Sequence, residues 1–258
     1  MKYTIETYGE NNFLVFPQLR EVGLNHCFTT SDMDMGLKTN GSVESIKENF
    51  KIIYDYMENI PKEIYSGYQT HSDSVQLVKS LEDGSYYAAG KYFAQTDGLV
   101  TDLANIGLVT RFADCTPILL FDPVKKVHGN VHSGWKGTLK EIGARAVDKM
   151  IEGYGSNPQD ILVILGQAIG KDDFEVEMDV MELFKNKFSY HEDIISRRND
   201  IKYLIDLKEI IIRTLINKGI DINKIHSVEE STFSDKRFHS FRRDKETFGQ
   251  MALITMID

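Results

Sequence analysis

The chain has little of several things that would fix its class at once. It carries two cysteines (Cys27 and Cys115), one tryptophan and five prolines in 258 residues. Two thiols allow at most one bridge, which excludes a disulfide-framed scaffold. Long apolar runs are missing too. The longest, such as Ile161 to Leu165, fall far short of the roughly 20 residues that a bilayer-spanning helix takes, and the start, MKYTIETYGENN, has no apolar signal-peptide core. The expectation is a cytoplasmic protein with no membrane partner, its cysteines reduced. Basic residues are outnumbered, 30 against 39 acidic ones, giving a net charge of −9. That balance argues against nucleic acid as the partner. No repeat of 20 to 50 residues and no low-complexity linker divides the chain, so it reads as one domain over 1–258. With 41% apolar and 27% charged residues it has the composition of an ordinary globular protein, able to bury a core without staples.

Runs rich in β-branched or alternating residues predict strands at Ser74–Val78, Gly98–Thr101, Ile106–Arg111, Ile118–Phe121, Lys126–Val131, Ile161–Leu165, His226–Glu229 and Met251–Ile257. Between them, apolar residues at steps of three and four predict helices over Val43–Met57, Asp179–Phe188 and Asp206–Lys218. The fold class is therefore mixed α/β. The sequence TLKE at Thr138–Glu141 reads as a capping box that opens a further helix. The loop before it, with Gly134, Lys136 and Gly137, then leads into a helix N-terminus, where Lys136, Gly137 and Thr138 could cradle an anion. It is not a P-loop, because Trp135 stands where the lysine must follow the glycine.

Three residues at predicted strand ends suggest chemistry: His71 in a polar loop, Cys115 after Ala113-Asp114, and His132 before the glycine-rich loop. Strand ends on one edge of a sheet converge in space. One thiolate and two imidazoles make a three-ligand zinc set with room for water or substrate. His128, four residues before His132, competes as a local partner. The same residues also permit a cysteine hydrolase with Cys115 as nucleophile and His132 as base. Asp97, at a turn entering a strand, is a candidate base near the cleft. Near the C-terminus Arg237, Arg242 and Arg243 form a local cation cluster suited to phosphate or carboxylate. A blue-copper centre fits poorly, a multicopper cluster needs more than seven histidines, and the His-x-Glu and Pro-Cys-x-x-Cys signature of zinc nucleobase deaminases is missing.

The order QTHSDSV, TDGLVT, RFADCTPILLFD, HGNVHSGWKGTL, LGQAIGKDDFEVEMDV and FHSFRRD resembles the YfiH/YlmD laccase-domain family, also described as multicopper polyphenol oxidoreductase-like or purine nucleoside phosphorylase proteins. The resemblance runs from about Gln69 to the C-terminus. It implies a single layered domain of mixed sheets flanked by helices, with a metal, usually zinc and alternatively copper, held by His71, Cys115 and His132. It also implies phosphorolysis of purine nucleosides (adenosine, inosine, methylthioadenosine), with adenosine deamination as a side activity, by a monomer or homodimer. A cell-wall precursor editing amide hydrolase is the alternative, and a copper polyphenol oxidase ranks last. The N-terminal third departs from the family: Thr30 and Phe50 stand where arginines are usual, within and just after the stretch FTTSDMDMGLKTNGS.

Overall fold

The computed structural model describes residues 1–39 and 42–258, so Asn40 and Gly41 of that divergent stretch lie outside the described residues. Its organisation follows from one strand, Thr116–Asp122, which is buried along its whole length. Ile118 and Leu120 point to one side and pack with Ile142, Val147, Ile211 and Leu215, whereas Leu119 and Phe121 point to the other and pack with Phe28, Phe112 and Leu253. Both faces of the strand are covered, so no polar alternation survives in its sequence.

The result is a helix–sheet–sheet–helix sandwich. Among the described residues the first sheet has eight strands in the order Thr4–Tyr8, Asn11–Val15, Leu24–Thr29, Met251–Ile257, Ile106–Phe112, Glu63–Gly67, Gly90–Phe93 and Ser85–Tyr87. The second has six, in the order Ile225–Ser227, Leu162–Leu165, Thr116–Asp122, Val127–Ser133, Gly98–Thr101 and Val75–Leu77. Helices Ile142–Tyr154 and Leu207–Asn217 cover the outer face of the second sheet. The outer face of the first is covered by Val43–Met57, whose Ile46, Phe50, Ile53 and Met57 pack on Phe13, Val109 and Ile254. Ser42 starts this helix by accepting the Ser45 N–H at 3.0 Å. A small third sheet (Glu175–Val176, Tyr203–Ile205, Ile195–Arg197) and the helix Met178–Lys187 form a flanking lobe around Phe174, Phe184 and Ile205. No helix among the described residues is long and apolar enough to cross a membrane.

The predicted strands and helices all occur, most with ends moved by one or two residues. The capping box does not form. The helix before it begins at Trp135, with Gly134 at its N-cap, and ends at Leu139; a second begins at Ile142. Thr138 is buried and bonds Ser133 Oγ at 2.9 Å, so its hydroxyl is not free to cap. Glu141 takes a left-handed φ of 61° between the two helices and pairs with Lys187.

Candidate metal and active site

The site forms where strands of the second sheet end. Thr116–Asp122 and Val127–Ser133 pair antiparallel, with Pro117 opposite His132 and Thr116 opposite Ser133. Cys115, one residue before the first of these strands, therefore lies beside His132. The turn that delivers it depends on Asp114, held at φ 77°. Its carboxylate takes the Thr232 hydroxyl and the Arg242 N–H, both at 2.6 Å, which offsets the backbone strain.

His71 arrives from the loop after Glu63–Gly67, and Asp97 holds that loop. Buried to 1% exposure, its carboxylate accepts the N–H groups of Thr70 (3.1 Å), His71 (3.0 Å) and Ser72 (2.8 Å) and the Ser72 hydroxyl (2.6 Å). His71 itself sits at φ 57°. The same carboxylate accepts from His132 Nδ1 at 2.9 Å. Burial alone would raise the Asp97 pKa, yet the hydrogen bonds from His132 and Ser72 hold it down at about 2. A carboxyl so engaged is no base at neutral pH, so the sequence-based role for Asp97 gives way to one of positioning. With Nδ1 donating to Asp97, His132 has Nε2 as the nitrogen left for the cluster.

His71, Cys115 and His132 offer ligand atoms that all lie within 4.8 Å of one another. Cys115 Sγ is 3.7 Å from His71 Nε2, and the two imidazole rings meet edge to face with centroids 5.0 Å apart. Burial pushes the Cys115 thiol up, but the imidazoles of His132 and His71 outweigh it and bring the thiol below its ordinary range. Burial pulls His132 the other way, and Cys115 and Asp97 together raise it. Two nitrogens, one sulfur and a carboxylate behind one imidazole fit a zinc-type ion. Gly134 makes the space: a Cβ there would fall 2.4 Å from His71 Cδ2 and 3.0 Å from Cys115 Sγ.

His128, the competing local partner, is not at the cluster. It lies between the sheets, fully buried, with Nδ1 on Thr255 Oγ1 at 2.9 Å. Lys136 is exposed beside the site, its Nζ 5.5 Å from the Trp135 ring centre. Gly137 packs beneath the Ser72 carbonyl, where a Cβ would come to 3.2 Å. The C-terminal arginines do not form a free anion cluster. Arg243 donates to the carbonyls of Thr232 (2.7 Å) and Phe238 (2.8 Å) and pairs with Asp244, while Arg237 pairs with Asp235. Arg242 lies over Phe174 and bonds the Glu175 carbonyl at 2.9 Å. With Trp135, Phe174 and Val180 it lines an open groove of about 310 Å³. The positioning roles of Asp97 and Asp114 have no local sequence signature, because their partners are distant residues and backbone amides.

The family model described as multi-copper polyphenol oxidoreductase laccase matches residues 17–258. YlmD of Bacillus subtilis, named a purine nucleoside phosphorylase, is 31% identical over 224 residues, covering 85% of this chain and 80% of its own. A purine nucleoside phosphorylase of Clostridium acetobutylicum is 27% identical over 250 residues, covering 97% and 94%. The crystal structure of the hypothetical protein YfiH from Bacillus licheniformis superposes with a TM-score of 0.89 at 27% identity, over 98% of this chain and 99% of that one. With these matches along nearly its whole length, the chain belongs to the multi-copper polyphenol oxidoreductase laccase family, the YfiH/YlmD group that its motifs resemble.

Proposed function

We propose that this protein is a zinc-dependent purine nucleoside phosphorylase acting on adenosine, inosine or methylthioadenosine, with adenosine deamination as a side activity. The observation that carries the reading is the convergence of His71, Cys115 and His132 within 4.8 Å, backed by Asp97. The names of its relatives support the reaction class. Zinc bound there would supply Lewis acidity. The chain's own residues do the rest. Asp97 fixes the His132 ring and the His71 loop. Exposure of His71 leaves the cluster open to a small molecule. The Trp135–Phe174–Arg242 groove offers aromatic and guanidinium faces for a purine ring. Lys136 offers a cation for phosphate beside it.

Among the described residues, no second group of three histidine, cysteine or acidic ligands accompanies this one, which favours a single-ion enzyme over a multicopper oxidase. One feature favours a second reading, amide hydrolysis of a cell-wall precursor. Asp97, His132 and Cys115 are also ordered as an acid, a base and a nucleophile. Incubation of the zinc-loaded protein with adenosine, with and without phosphate, separates the two. Ribose 1-phosphate plus adenine, formed only with phosphate, is the expected outcome. Nucleoside turnover absent at every phosphate concentration, with Cys115 open to alkylation in the loaded protein, would transfer the assignment to hydrolysis.

A further inference from the structure

One buried cation is used by neither the site nor the packing just described. Arg111, near the end of the Ile106–Phe112 strand, is 7% exposed. Its main chain is fastened from both sides by one side chain: Gln69 Oε1 accepts the Arg111 N–H at 2.9 Å, and Gln69 Nε2 donates to its carbonyl at 2.7 Å. By strand alternation the Arg111 side chain shares a face with Val109, which packs against Phe50 and Ile53. The guanidinium thus lies under the helix Val43–Met57 and the loop at Met35. Its Nε donates to the Met35 carbonyl at 2.7 Å.

The two Nη groups donate to no protein acceptor, and no carboxylate pairs with them, among the described residues. The neighbouring Asp34 turns Oδ1 to the N–H groups of Gly36 and Gln250 and to the Thr39 hydroxyl. Tyr54, from the covering helix, is close enough for the Arg111 charge to act on its hydroxyl, and that hydroxyl has no hydrogen-bond partner among the described residues. Burial first, then Glu63, keeps the phenol protonated and hence a donor. Neither the Nη atoms nor the Tyr54 hydroxyl is among the unpartnered atoms sealed from solvent. The guanidinium is thus nearly buried, with no anion beside it and its fork still reached by solvent, and a planar fork beside a second donor matches a tetrahedral oxyanion.

We propose that Arg111 and Tyr54 form a binding site for a small oxyanion, free phosphate or the phosphate group of a phosphorylated ligand, on the helix-covered face of the first sheet. Gln69 links this site to the metal cluster, since it clasps Arg111 two residues before His71. The proposal does not depend on the reaction assigned above, and its test needs no turnover. Metal-loaded protein is titrated calorimetrically with inorganic phosphate, and separately with ribose 5-phosphate, at constant ionic strength set by chloride.

Saturable phosphate binding is expected in the parent, weakened at least about tenfold by Arg111→Met and several-fold by Tyr54→Phe, and retained in Cys115→Ala. Arg111-dependent binding that is tighter for ribose 5-phosphate identifies a phosphorylated ligand; tighter binding of inorganic phosphate identifies the free ion. The proposal is overturned if the parent shows no saturable phosphate binding, or if Arg111→Met matches the parent. It is equally overturned if Cys115→Ala abolishes the binding. Should Arg111→Met fail to fold, phenylglyoxal modification of Arg111 in the parent, followed by peptide mass mapping, gives the same answer: phosphate protects it, and an unprotected Arg111 refutes the site.

Discussion

Asp97→Asn is the sharpest perturbation of the metal cluster, because it keeps the shape and removes one acceptor. The carboxylate receives five hydrogen bonds, with His132 Nδ1 and the His71 N–H on Oδ1 and Thr70 N–H, Ser72 N–H and Ser72 Oγ on Oδ2. An asparagine has one carbonyl oxygen, and turning it toward the three donors of Thr70 and Ser72 presents NH2 to His71 and His132. His132 can then accept only by moving its proton to Nε2, the atom that faces the cluster, and a protonated Nε2 is no metal ligand. Two charge-assisted hydrogen bonds at about 1.5–3 kcal/mol each set a loss of roughly 3–6 kcal/mol, of which the tautomer change returns a part. For a domain of this size a net loss of about 3 kcal/mol lowers Tm by roughly 6–12 °C. Zinc affinity falls about 10–100-fold. Competition against a chromophoric chelator measures the second quantity and scanning calorimetry the first. A variant with zinc affinity within about twofold of the parent and an unmoved Tm would refute the positioning role of Asp97.

Gly134→Ala places a methyl 2.4 Å from His71 Cδ2; the purified variant is expected to lack metal by elemental analysis while remaining folded, and full occupancy would refute the close-approach argument. Arg243→Gln removes donors to the Thr232 and Phe238 carbonyls and the pair with Asp244, and with allowance for partial exposure it should cost about 2–3 kcal/mol in urea unfolding while leaving the phosphate KM unchanged. A raised KM would restore Arg243 as an anion ligand. His128 is fully buried, and burial lowers its pKa from 6.5 to about 3. The folded state resists protonation there and the unfolded state does not, so stability present above the unfolded pKa is lost as pH falls toward the folded one, by up to about 1.4 kcal/mol per pH unit. His128→Gln should flatten the stability profile between about pH 6 and 4 by about that slope, and superimposable profiles would refute it.

The parts of this fold legible in the sequence are those in which local pattern and burial agree. Val43–Met57 shows its apolar stripe because one face meets a sheet and the other meets water. The central strands were visible as apolar runs, though their faces could not be told apart in a strand such as Thr116–Asp122. The N-terminal strands Thr4–Tyr8 and Leu24–Thr29 escaped detection for another reason. TIETY is polar and largely exposed, and LNHCFT owes its conformation to pairing with Met251–Ile257 at the far end of the chain. At the site, residue type was enough to single out His71, Cys115 and His132 as candidates. Which neighbours hold them depends on long-range contacts, and the three arginines do not act together as an anion site because carbonyls and carboxylates engage Arg243 and Arg237, while Arg242 turns to the groove beside Phe174. Arg111 did leave a trace, a single cation inside the apolar run IGLVTRF.

The three cluster residues do not stand on equally firm ground. Cys115 and His132 adjoin one buried hairpin, whose register cannot slip without exposing the core on both faces, whereas His71 rides on an exposed loop. Any ion held there would exchange through excursions of that loop alone, at a rate set by the local opening free energy and indifferent to global stability. Mild denaturant would leave the rate of release to a chelator unchanged until the hairpin itself begins to unfold. Asp97, which grips the loop amides and the His132 ring together, acts as the latch on that gate.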